Sequence, residues 1–197
     1  MFRKLAGGGF NAPAEWWSGA LDLDRVRGAW AGDVSGDGRA DLIVLEDLPD
    51  GGMRIRTALA KRPPPGLKAL RTRFTDTSML PHRTRIVPGD ADRDGREDLF
   101  LVTRDGNPGR VERLSGRGGG DLVRTRLWSA PKSDKLVIRE IRLGVADLDY
   151  DGHTDLLLFT KHGDGTRIRV LESRYAAMHP ATSIVAPSIP WGDLRPY

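Results

Sequence analysis

The stretch Gly89-Asp90-Ala91-Asp92-Arg93-Asp94-Gly95-Arg96-Glu97-Asp98-Leu99-Phe100-Leu101 decides how the chain is read. Aspartates stand at alternate positions, a glycine follows the third, and a last aspartate opens an apolar run. Two other segments repeat the pattern: Gly32-Asp33-Val34-Ser35-Gly36-Asp37-Gly38-Arg39-Ala40-Asp41-Leu42-Ile43-Val44, and Ala146-Asp147-Leu148-Asp149-Tyr150-Asp151-Gly152-His153-Thr154-Asp155-Leu156-Leu157-Leu158. The interval from Asp33 to Asp90 and from Asp90 to Asp147 is the same 57 residues. Equal spacing of one internal pattern is the mark of a repeat architecture.

The flanks repeat as well. Residues 42–45, 99–102 and 156–159 are continuous apolar runs, too short for helices and suited to strands covered on both faces. An Asp-Gly pair follows each run (Asp50-Gly51, Asp105-Gly106, Asp164-Gly165) and predicts a hairpin into a segment that alternates basic and apolar residues. Those segments are 53–56, 110–114 and 167–171. Residues 71–74 and 124–128 supply a further strand, and 84–87 and 136–143 lead into the next acidic loop. Four short antiparallel strands per repeat, with little helix, describe an all-β array of propeller blades.

Complete blades are expected at 26–77, 83–129 and 138–186, a partial blade at 1–18, and a tail or the start of a next blade at 187–197. Closed propellers usually need 4–8 blades. About three and a half such units therefore imply part of a larger propeller, or one completed by oligomerisation. Unclosed end blades would leave strand edges open to self-association.

The acidic loops carry the chemistry. Alternate positions 1, 3 and 5 aim oxygen ligands at a common centre, and the glycine at position 6 permits a sharp turn. The ligand set is Asp33, Ser35, Asp37 and Asp41 in the first loop, Asp90, Asp92, Asp94 and Asp98 in the second, and Asp147, Asp149, Asp151 and Asp155 in the third. Arg39, Arg96 and His153 stand at position 7, where the backbone carbonyl can join the shell. Hard oxygen donors without histidine or cysteine side chains favour calcium, about three ions in all, the first loop being weakest because Ser35 replaces a carboxylate. An EF-hand would need a bidentate glutamate at position 12. Val44, Leu101 and Leu158 stand there instead, inside expected strands.

Composition narrows the classes. The 197-residue chain has no cysteine, which excludes disulfides, zinc–thiolate sites and a cysteine nucleophile. No apolar run is long enough to span a bilayer. No apolar signal core follows Met1, so any export signal is expected outside this chain. The formal charge is +4, and eleven of the 27 acids sit at loop ligand positions, so the rest of the chain is strongly basic. Nucleic-acid binding would rest on that charge alone and is not expected. The arginines of the alternating segments (Arg54, Arg56, Arg110, Arg113, Arg167, Arg169) suggest a patch for an anionic polymer, and Trp16, Trp17, Trp128 and Trp191 offer faces for sugars or for core packing. His82, His153, His162 and His179 are scattered, and no nucleophile elbow, phosphate-binding loop or metalloprotease helix is present, so no catalytic residue is assigned.

The segment 32–44 resembles the FG-GAP, or VCBS, repeat of integrin α-subunit propellers and many bacterial secreted proteins. Gly8-Gly9-Phe10, Pro13 and Trp16-Trp17 are similar to the stretch that precedes such loops. The resemblance implies a calcium-binding β-propeller, secreted or at the cell surface. It implies a non-catalytic scaffold for adhesion or binding of protein or carbohydrate. The alternative it implies is an ancillary propeller of a secreted polysaccharide-active enzyme, a lyase or hydrolase.

Overall fold

The computed structural model describes residues 15–63, 65–104, 108–117, 121–131, 136–174, 177–186 and 190–191. The expected turn at Asp105-Gly106, the Gly8-Gly9-Phe10 stretch, most of the partial blade at 1–18 and nearly all of the 187–197 tail lie outside them. Residues 15–18 form no strand.

Twelve strands form three four-stranded antiparallel sheets. The first holds β1 (Val26–Gly32), β2 (Asp41–Asp47), β3 (Met53–Ala58) and β4 (Arg71–Asp76) in that order. The second holds β5 (Thr84–Gly89), β6 (Asp98–Thr103), β7 (Arg110–Arg117) and β8 (Asp121–Ser129). The third holds β9 (Ile141–Ala146), β10 (Asp155–His162), β11 (Gly165–Arg174) and β12 (Ala177–Ala186). Short 3₁₀ turns, Pro81–Arg83 and Ile138–Glu140, precede β5 and β9. Among the described residues no helix is long and apolar enough to cross a membrane.

The sheets lie in series. Strand β5 touches both β1 and β9, and β8 touches both β4 and β12. No closed ring of sheets is present among the described residues. Each pairing of third and fourth strands carries one register shift, at Ile55/Arg56, Val111/Glu112 and Val170/Leu171. An irregularity recurring at one place in every repeat is a built feature of the sheet, one that raises its twist.

The apolar runs are continuous because of where the core sits. Along β6, Leu99 and Leu101 pack with Ile43, Leu45, Met53 and Ile55 of the first sheet. Phe100 and Val102 point the other way and pack with Ile141, Leu156, Leu158 and Leu171 of the third. A strand with side chains alternating between two buried faces must be apolar at every position. Strand β10 is covered on one face only: Leu156 and Leu158 are fully buried, and Leu157 and Phe159 half-buried.

Candidate metal sites

The acidic loops join the first two strands of each sheet. The last loop residue pairs with the end of the first strand: Asp41 with Gly32, Asp98 with Gly89 and Asp155 with Ala146. All three loops thus open at the same end of their sheets. Their backbone follows one plan. Gly38, Gly95 and Gly152 take positive φ of 78°, 78° and 88° at position 6. Position 4 is also left-handed, as Gly36 at 75° in the first loop but as Arg93 at 60° and Tyr150 at 63° in the others. A side chain held there costs about 1–2 kcal/mol, which the rest of the loop must offset.

The offset comes from aspartate oxygens accepting backbone hydrogen bonds. The position 1 carboxylate accepts from the position 6 N–H in every loop: Gly38 to Asp33 at 2.6 Å, Gly95 to Asp90 at 2.9 Å and Gly152 to Asp147 at 3.1 Å. Burial raises the Asp33 pKa, but donation from Gly38, Asp37 and Gly36 and from the Ser35 hydroxyl outweighs it, so the group ends below its ordinary value.

Position 9 has a different task. Asp41, Asp98 and Asp155 are each at most 1% exposed. Asp98 Oδ2 accepts from Ala91 N–H at 3.2 Å, and Asp155 Oδ2 from Leu148 N–H at 3.0 Å, closing each loop on its own start. The other oxygen reaches outward, Asp41 to Ala60 N–H at 2.8 Å and Asp155 to Ser173 N–H at 2.9 Å. Burial raises all three pKa values, and in Asp98 the nearby charges of Asp92 and Asp94 add to it. Asp98 is pushed up to about 7 even though Arg113 and the Ala91 N–H act against the rise. Sequence reasoning treated position 9 only as a ligand and missed this anchoring. Its place as the first residue of a buried strand was the available signal.

Two loops bring three carboxylates together. One oxygen each from Asp90, Asp92 and Asp98 lie within 4.8 Å of one another, and so do those of Asp147, Asp149 and Asp151. Either group can hold a metal ion. Within the first, Asp92 Oδ1 is buried and accepts no hydrogen bond. A buried carboxylate oxygen without a donor is costly and suited to a cation, and Asp37 Oδ1 of the first loop shares that status. Arg113 already stands beside this group, 3.1 Å from Asp92 and 3.8 Å from Asp98. Asp94 and Asp155 lie outside the two groups. Asp94 Oδ1 accepts from Arg96 N–H at 2.9 Å.

The first loop gathers no such trio among the described residues. Ser35 donates its hydroxyl to Asp33 at 3.2 Å, Asp41 is turned to backbone donors, and Asp37 is flanked by Arg39 at 3.7 Å and Arg62 at 3.5 Å. The side chains at position 7 serve the loops in other ways. Arg39 and Arg96 face the position 5 aspartates, Arg96 at 3.8 Å from Asp94, and the buried His153 donates from Nδ1 to the Ala91 carbonyl at 3.0 Å.

That histidine contact crosses from one loop to the next, and it is not alone. Glu97 N–H donates to the Asp33 carbonyl and Thr154 N–H to the Asp90 carbonyl, each at 2.8 Å. Arg93 Nη1 donates to the Asp151 carbonyl at 2.9 Å. The loops therefore form one hydrogen-bonded row along the sheet ends.

Five of the arginines of the third strands meet named partners. Arg54 and Arg56 hold the buried Glu46 at 2.7 and 3.3 Å, Arg110 lies 3.6 Å from Glu112, Arg113 sits on Asp92, and Arg167 meets His162 at 2.8 Å. The tryptophans Trp16, Trp17, Trp128 and Trp191 are all half-buried, Trp128 against the core between the second and third sheets.

No protein-family model and no curated protein matches the chain. Among solved structures it is similar to the rhamnogalacturonan lyase YesW, with a TM-score of 0.56 and 15% identity, over 93% of this chain and 36% of that one. The chain thus spans little more than a third of that enzyme's length, and a likeness at this identity is one of fold.

Proposed function

We propose that the chain is a run of calcium-binding propeller blades that serves as a non-catalytic binding scaffold outside the cell. The observation that carries the metal reading is the trio Asp90, Asp92 and Asp98, with the Asp92 Oδ1 atom buried and without a hydrogen-bond donor. Asp147, Asp149 and Asp151 would hold a second ion. All-oxygen donors on a loop of mixed carboxylates and backbone suit calcium, which accepts irregular shells, better than magnesium, which demands a strict octahedron. A bound ion would balance the clustered charge and fix the loop, while the row of hydrogen bonds between loops carries that order from sheet to sheet.

Three consecutive sheets with first strands adjacent on one side and fourth strands on the other support blades set around an axis. The likeness to a lyase favours a second reading, in which these blades are part of a polysaccharide-active enzyme. The scattered histidines support the scaffold reading first: His153 is held by a backbone carbonyl and His162 by Arg167.

Equilibrium dialysis against calcium, with the bound metal counted by atomic emission, tests the site. Two ions per chain are expected, and no retained metal at millimolar calcium would refute the reading. Incubation with acidic and neutral plant polysaccharides, followed by ultraviolet absorbance for unsaturated products, separates scaffold from lyase. Steady product release would favour the second reading.

A further inference from the structure

At the ends of β5 and β9 opposite the acidic loops, a cleft of about 690 Å³ opens beside the first strands. Its lining contains Arg27, Arg85, Arg139, Arg142 and His82, and no aspartate or glutamate. Two of these charges are already matched, Arg27 by Asp47 and Arg139 by Glu140 at 3.7 Å. Of the other two arginines, Arg142 lies over the Trp191 ring, 5.2 Å from its centroid. Among the described residues Arg85 and Arg142 meet no carboxylate. Arg85 Nη1 donates to the Thr84 carbonyl at 3.1 Å and Arg142 Nη1 to the Ile141 carbonyl at 3.2 Å. Arg142 Nε is buried and makes no hydrogen bond. Burial, and after it the charge of Arg142, hold the Arg85 pKa below the usual arginine value. Two partly desolvated guanidiniums kept near each other without an acid are costly, and a bridging oxyanion relieves that cost.

The wall beside them is aromatic. Phe159 pairs in register with Arg142, so the two side chains are neighbours on one face of the third sheet. A Cβ on Gly144 would come within 3.2 Å of the Phe159 ring, so this glycine leaves room for the ring to lie over the strand. A forked cation beside a flat apolar surface matches a sugar ring that carries a carboxylate.

We propose that this cleft binds an acidic saccharide, its carboxylate bridging Arg85 and Arg142 and its ring packed on Phe159. The proposal deepens the scaffold reading by naming a ligand class. It does not depend on cations, because no acidic-loop residue lines the cleft.

The test is calorimetric titration of the full chain, in calcium and at low salt, with an oligoglucuronate and with neutral oligoglucose of equal length. The acidic oligomer is expected to bind at least about tenfold more tightly, and Arg85→Gln and Arg142→Gln to lose about tenfold each, the worth of one charge-assisted contact. Arg85→Gln should also leave the unliganded chain at least as heat-stable as the parent, since it removes a like-charge contact. Arg174→Gln, far along β11, should bind as the parent does. Equal affinity for the neutral oligomer, absence of binding by either oligomer, or full affinity in the folded double variant would each overturn the proposal. An intact melting response to calcium in the same samples would then confine the failure to the cleft, and a lost response with saccharide binding retained would confine it to the metal reading.

Discussion

Asp98→Asn should change stability in opposite directions with and without calcium. Asp98 is 1% exposed, and its pKa rises from 3.8 to about 7, burial being the main cause. The fold therefore holds a proton on this carboxyl more tightly than the unfolded chain does. Without a cation, stability from this group is greatest below pH 3.8 and is lost as pH rises to about 7. At about 1.4 kcal/mol per pH unit, the ionised carboxylate disfavours the metal-free fold by on the order of 4 kcal/mol above that range. Asparagine removes the charge and keeps an oxygen for the Ala91 N–H. That penalty already includes the attraction of Arg113; the new buried amide N–H donors, which lack acceptors, offset part of the gain and leave about 1–3 kcal/mol. At roughly 2–4 °C per kcal/mol for a chain of this size, the variant should melt several degrees above the parent at pH 8 in chelator. In excess calcium the order should reverse, because the parent gains binding energy through a ligand charge that the variant lacks. Thermal melts monitored by circular dichroism decide it. An equal loss in both conditions would show that Asp98 is an ordinary structural acceptor and that its loop takes no cation.

Ser35→Asp supplies the carboxylate missing from the first loop and should raise the calcium count from two to three by dialysis, the parent's first loop staying empty. Gly52→Ala and Gly95→Ala both place a side chain at positive φ, 91° and 78°, but only at Gly52 would the Cβ meet backbone, 2.5 Å from the Asp76 carbonyl oxygen. Urea melts should show about 1 kcal/mol lost for Gly95→Ala and a clearly larger loss for Gly52→Ala. Phe100→Ala, at a fully buried position, should cost about 3–5 kcal/mol by the same measurement.

The strands were legible because burial writes itself into composition. The runs at 42–45, 99–102 and 156–159 lie within β2, β6 and β10, and the alternating segment 53–56 lies in β3. The acidic loops were legible because a left-handed backbone at position 6 calls for glycine. Pairing across the sheet was not. Glu46 gave no sign that it would take up Arg54 and Arg56, two of the six arginines that suggested a basic patch. Nor was the division of labour among the aspartates visible, since a ligand and a backbone acceptor carry the same side chain. The cleft draws on Arg27, Arg85 and Arg142 from three different repeats, and only the packing of the sheets puts them together.

The two apolar cores share no residue, yet both are walled by the second sheet. The first sheet is therefore coupled to the third through the second: β6 places Leu99 and Leu101 in one core and Phe100 and Val102 in the other, and β5, β7 and β8 also reach both. A lesion at either end touches one core, whereas one on β6 touches both. The middle sheet is where the cooperativity of the whole array resides.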